Sequence, residues 1–151
     1  SDMVDTILNY TPPAHRCEVI NTVEGVVYVN DSKATNLHAI SSSLAGQMQP
    51  VVLIAGGKEK GLDFSELSAL VEERVNEVVC IGEIASKIVD VWGDRVPCTQ
   101  AATLEEAVKI SSEKAKPGDV VLFSPGTSSF DMFSGYEERG EVFRSAVQSL
   151  N

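Results

Sequence analysis

The chain has no apolar run approaching the ~20 residues of a membrane span, no internal repeat and no low-complexity tract. Its three cysteines, Cys17, Cys80 and Cys98, are odd in number and form no Cys-x-x-Cys pair. That spacing argues against both a disulfide framework and a zinc site, and Cys80 and Cys98 fall in apolar strand-like runs where a core thiol is expected. Positive charge is scarce: Lys+Arg 12 against Asp+Glu 22, a formal net charge of -10 and a pI near 4.6. Such a surface repels phosphate polymers and anionic membranes, so neither nucleic acid nor membrane insertion is expected. No signal-peptide pattern is read, and a reducing cytoplasm is the expected compartment.

Two nucleotide signatures are also missing. Gly56-Gly57-Lys58-Glu59-Lys60-Gly61 has the Gly-x4-Gly spacing of a phosphate loop, but Leu62 and Asp63 stand where the lysine and the hydroxyl are needed. No Gly-x-Gly-x-x-Gly follows a strand. His15 and His38 lack the partners of a catalytic triad or of a two-histidine zinc helix, and no metal ligands are assigned.

What remains is an ordinary globular composition, 43% hydrophobic and 23% charged over 151 residues, enough for one core. Residues 1–12 read as a linker or, at Ser1-Asp2-Met3, a vector remnant, and residues 13–151 as the domain. Strand-like runs at Cys17 to Val23 and Val26 to Asn30 flank Glu24-Gly25, predicting a hairpin. Strands and helices then alternate. A helix is predicted from Leu37 to about Gly46, and a buried strand at Val51 to Ala55. Asp63 should start a helix carrying Leu67, Leu70, Val71 and Val75, ahead of a strand at Val78 to Ile81. Ile84, Ile88 and Val91 mark another helix and Val96-Pro97-Cys98 an edge strand. Thr103 to Glu106 caps a further helix, Val120 to Phe123 is the last strand, and a closing helix carries Val142, Phe143 and Val147. Glu137-Glu138-Arg139 reads most simply as a charged helix face. The fold class is α/β, a Rossmann-like open and mostly parallel sheet with helices on both faces and an antiparallel N-terminal hairpin.

The polar, glycine-rich loops follow Val29, Ala55 and Phe123, all at strand carboxyl ends, where open α/β sheets place ligands. The first, Asp31-Ser-Lys-Ala-Thr-Asn36, carries an acceptor-only carboxylate, a compact cation and short hydrogen-bonding groups ahead of a helix. Residue types alone fit a turn plus a helix cap with solvated Lys33, and solvated Lys58 and Lys60.

Taken together, His15-Arg16, residues 31–36, Gly56-Gly57 with Lys60 and Asp63-Phe64, and Ser124-Pro125 through Ser129-Phe-Asp-x-Phe133 with Glu137-x-Arg139-Gly140 resemble the C-terminal domain of the Mur ligases. The likeness runs from about Pro13 onward, and Asp-Ser-Lys-Ala-Thr-Asn is specific to the D-glutamate-adding members. The resemblance implies peptidoglycan synthesis, in which ATP phosphorylates the carboxylate of UDP-N-acetylmuramoyl-L-alanine and the amine of D-glutamate attacks the acyl phosphate. It implies that Arg16, Asp31 and Lys33 contact ATP, with Asp31 at the ribose and Lys33 the catalytic cation. It assigns Thr35, Lys60, Ser129, Phe130 and Tyr136 to D-glutamate, Tyr136 standing where the family more often has Phe. Mg2+ and the rest of the nucleotide site are implied to belong mainly to N-terminal and central domains not present here, so that this chain is an inactive fragment by itself. The alternative is a non-catalytic nucleotide- or small-molecule-binding Rossmann-like module.

Overall fold

A computed structural model describes residues 14–129 and 132–150. The hairpin forms as β1 (Glu18–Val23) and β2 (Val26–Asn30), antiparallel and joined by Glu24 and Gly25, both at positive φ as a tight right-twisted turn requires. Then come α1 (Leu37–Ala45), β3 (Val51–Gly56), a 3₁₀ turn (Phe64–Leu67), α2 (Ser68–Arg74), β4 (Val75–Ile81), α3 (Ala85–Trp92), β5 (Cys98–Gln100), α4 (Leu104–Lys114), β6 (Val120–Phe123) and α5 (Tyr136–Gln148). The sheet order is β1-β2-β6-β3-β4-β5, parallel from β2 onward. Chain order leaps over β6 between β2 and β3, which makes the carboxyl ends of these three strands the place where a crevice can open.

Both faces of the sheet are covered, and period-two side chains sort between them. Leu53, Ala55, Val78 and Cys80 pack with Ile40, Leu44, Val71, Ile88 and Trp92 on one side. Val52, Ile54, Val79 and Phe123 pack with Leu104, Val108, Phe143 and Val147 on the other. Cys80 is fully buried and Cys98 half-buried, both as free thiols. Among the described residues no helix is long and apolar enough to cross a membrane.

Three local expectations are corrected. Asp63 caps Ser65 N at 3.1 Å, but what it starts is the 3₁₀ turn, with α2 following. Val75 is the first residue of β4, pairing with Val51, because the chain passes from helix to strand with no loop between; a four-residue apolar spacing therefore ran past the helix end. The edge strand is Cys98–Gln100, displaced past Pro97, whose carbonyl still accepts from Val78 N at 2.9 Å.

Candidate functional site

The loop of residues 31–36 is pinned from three sides. Asp31 N–H donates to Phe123 O at 2.8 Å, Lys33 N–H to His15 O at 2.9 Å, and Gly126 N–H to Ala34 O at 2.9 Å. Asn36 then caps α1, its side chain accepting from Ala39 N at 2.9 Å. Asn36 thus serves as the expected cap, whereas Ser32 Oγ reaches Tyr136 O at 2.7 Å instead of closing a local turn, and the fixed loop leaves the Lys33 side chain exposed at the first of two cavities.

The first cavity, about 350 Å3, is lined by Arg16, Cys17, Asp31, Lys33, Ala34 and residues of α1. Asp31 is only 4% exposed. Its Oδ2 accepts from Ser124 Oγ at 2.8 Å and from Ser43 Oγ, and its Oδ1 from Cys17 N at 3.2 Å and Cys17 Sγ at 3.6 Å. The carboxylate thereby ties β2, α1, the loop after β6 and the segment before β1 together. Burial pushes the Cys17 thiol above its ordinary value, which keeps it a neutral donor rather than a nucleophile. His15 and Cys17 both hold positive φ, 67° and 45°, a backbone cost offset by the bonds that their peptide groups make to Lys33 and Asp31.

The second cavity is larger, about 680 Å3, and is lined by Thr35, Lys58, Lys60, Ser128, Ser129, Ser134, Gly135, Tyr136 and Glu137. Its wall is made by stitching two strand-end loops: Lys58 N–H donates to Ser128 O at 3.0 Å and Thr127 Oγ1 to Lys58 O at 2.7 Å. Gly57, at φ 149°, permits that approach, since a Cβ there would lie 2.5 Å from Ser128 O. Thus Thr35, Lys60, Ser129 and Tyr136, assigned to one ligand from the sequence, line one space, and Arg16, Asp31 and Lys33 line the other. Phe130 lies outside the described residues.

Arg139 is what sequence reasoning misplaced. Instead of facing water it is 1% exposed, donating from Nε to Ser32 Oγ (3.0 Å), from one terminal nitrogen to Thr127 O (2.9 Å) and from the other to Ser32 O (2.6 Å). Ser32 Oγ in turn donates to Tyr136 O at 2.7 Å. One guanidinium fork therefore braces the loop after β2, the loop after β6 and the start of α5. Helix spacing cannot reveal this, because the partners are contributed by distant loops. A second brace flanks it: His15 is buried against Gly140, where a Cβ would collide with the imidazole, and Asn30 Nδ2 meets His15 Nδ1 at 3.0 Å.

An open, largely parallel α/β sheet covered by helices on both faces, with two cavities at its strand-end loops, defines an α/β domain of the doubly wound class. The chain belongs to the Mur ligase family: residues 15–127 match the family described as "Mur ligase, glutamate ligase domain". It is 48% identical over 137 residues to the UDP-N-acetylmuramoylalanine–D-glutamate ligase of Salinibacter ruber, covering 90% of this chain and 30% of that protein. To the same-named ligase of Hahella chejuensis it is 44% identical over 152 residues, covering 97% and 34%. The chain thus spans about a third of the length of the curated relatives it matches. Its fold is similar to that of the bifunctional folylpolyglutamate synthase/dihydrofolate synthase of Yersinia pestis (TM-score 0.63, 22% identity, 91% of this chain and 32% of that one). It is also similar to the MurF ligase of Thermotoga maritima (TM-score 0.59, 17% identity, 95% and 33%). At these identities the likeness speaks for the fold alone.

Proposed function

We propose that this chain is the domain of an ATP-dependent, cytoplasmic amide-forming ligase that receives D-glutamate for addition to UDP-N-acetylmuramoyl-L-alanine in peptidoglycan synthesis. The observation that carries the reading is the partition of the assigned residues: Thr35, Lys60, Ser129 and Tyr136 line one cavity, Arg16, Asp31 and Lys33 the other, with Lys33 on the loop between. The 43–48% identity to ligases of that name supports it.

ATP supplies the phosphoryl group that activates the acceptor carboxylate. The first cavity suits part of such a ligand, since Arg16 and Lys33 offer cations for phosphate oxygens. Asp31 has both carboxylate oxygens engaged by protein donors, so a ribose hydroxyl would share those acceptors or replace one donor. Among the described residues no three His, Cys, Asp or Glu groups converge as a metal site, and no step is assigned here to a metal. In the second cavity, Lys60 meets a carboxylate while Thr35 and Ser129 donate to it or to its twin. Lys33 stabilises the oxyanion that develops where the two ligands meet, an interaction stronger in the transition state than before it.

The test is phosphate release. The full-length protein should release phosphate only with both UDP-N-acetylmuramoyl-L-alanine and D-glutamate present, whereas residues 1–151 alone should release none above background. Hydrolysis by the isolated chain that survives Lys33→Ala, or a full-length protein indifferent to D-glutamate, overturns the reading.

A further inference from the structure

The chain has twelve basic side chains. Five of them, Arg74, Lys87, Arg95, Lys114 and Arg144, pair with carboxylates, and Arg139 is buried against carbonyls. Among the described residues, four of the other six, Arg16, Lys33, Lys58 and Lys60, line the two cavities with no carboxylate ion pair. In a chain of net charge -10, four of the cations without an acidic partner thus gather at the two cavities, where a ligand would bring its own negative charge.

Two of the four share one short loop, and the residue between them explains why. Glu59 is turned to its own loop and to α3: it accepts from Gly61 N at 2.7 Å and meets Lys87 Nζ at 3.5 Å, while Glu83 accepts from Glu59 N at 2.9 Å. The acid between the two lysines is thereby occupied elsewhere, and Asp63 at the end of the loop is taken up in capping Ser65 N. The Lys58 backbone is fastened at both its N–H and its C=O to the loop after β6, which holds its Cα at the cavity wall while the side chain remains exposed. Across the same cavity stands Glu137, in the first turn of α5. Two cations and one anion around one space are the complement of an amino acid with two carboxylates and one ammonium group.

We propose that Lys58 is a second carboxylate-binding cation of this cavity, so that a dicarboxylic amino acid is gripped by two lysines of the same strand-end loop. The proposal rests on the reading that this cavity takes D-glutamate, and extends it to a residue that solvation alone would otherwise explain. A lysine acting this way contributes binding common to ground and transition states, which moves KM and leaves kcat nearly untouched.

Steady-state kinetics of the full-length ligase with D-glutamate as the varied substrate test it. Lys58→Ala should raise KM for D-glutamate about tenfold with kcat within about twofold, and Lys58→Arg should recover most of the loss. If Lys60→Ala raises KM while Lys58→Ala leaves it within about twofold, Lys58 is a solvated lysine and this inference falls while the function stands. A wild-type enzyme that does not use D-glutamate, or a KM unmoved by both substitutions, removes the inference and the assignment of the cavity together. A fall in kcat with unchanged KM that arginine does not rescue also overturns it, since that is the pattern of a structural or transition-state role.

Discussion

The two cavities on either side of residues 31–36 are built on opposite plans. The first has its one acid buried and saturated by Ser43, Ser124 and Cys17, so its wall is organised before any ligand arrives. The second is nearly twice as large, about 680 against 350 Å3, and its cations, Lys58 and Lys60, are exposed and free of carboxylate ion pairs among the described residues. The contrast teaches that preorganisation here belongs to the backbone and to the first cavity, whereas the second keeps its two lysines free of carboxylate ion pairs among the described residues. Both cavities nonetheless depend on one brace.

Breaking that brace should have the largest effect. Arg139→Ala leaves Ser32 O, Ser32 Oγ and Thr127 O without their charged donor in a buried site. Charge-assisted hydrogen bonds of this kind are worth about 1.5–3 kcal/mol each and are not additive, so a loss of about 3 kcal/mol is expected in urea unfolding of this chain. Arg139→Lys should recover only part of it, because an ammonium cannot span the fork. A loss below about 1 kcal/mol would mean the loops hold themselves and the brace is incidental.

Lys33 sharpens the contrast next, since it is the one cation on the fixed loop between the cavities. In the full-length ligase Lys33→Ala should lower kcat by ~10²-fold while the domain still folds, its backbone N–H bond to His15 O being unaffected by the side chain. If kcat stayed within about threefold and only KM for D-glutamate rose, Lys33 would be a binding residue of the second cavity, and the division of labour drawn here would fail.

How much of this was legible before the structure differs between the cavities too. The alternation of apolar runs and capping residues gives the parallel sheet, its hairpin and the three strand-end loops, because each element buries a stripe readable within its own span. The assignment of Thr35, Lys60, Ser129 and Tyr136 to one ligand and of Arg16, Asp31 and Lys33 to another came from family motifs; the first four line the larger cavity and the other three the smaller. Arg139 and the saturation of Asp31 were not legible. Both depend on partners such as Thr127 and Ser124, which reach the site only because β6 inserts between β2 and β3. Val75 was misread for the opposite reason: its local pattern was good, and the sheet claimed it one residue after the helix ended.

Lys60 comes third. Lys60→Ala should raise KM for D-glutamate at least ~10-fold in the full-length ligase, the equivalent of one charge-assisted contact in a site closed to water. D-aspartate, one methylene shorter, should be a poor substrate, because Lys60 and the hydroxyl donors Thr35 and Ser129 sit on separate loops and cannot both be reached. An unchanged KM would return Lys60 to solvent and leave the second cavity without its principal cation.

The smallest expected effect is the affinity of this chain alone for free D-glutamate, and it bears most directly on the contrast. Lys58 and Lys60 are exposed, and an exposed lysine–carboxylate pair contributes only ~0–1 kcal/mol because water screens it and the long side chain loses freedom. Two such pairs with two hydroxyl contacts, set against the cost of immobilising a small ligand, give a Kd in the ~mM range or weaker. The same contacts become worth about 1.5–3 kcal/mol each once the cavity is closed and water is excluded, which is the margin that separates a loosely held amino acid from a productive substrate. An NMR titration reads this residue by residue: small, fast-exchange shifts should appear at Thr35, Lys58, Lys60 and Ser129, and should barely touch the Asp31 network, whose donors are already committed. Micromolar binding would show that the second cavity is as preorganised as the first.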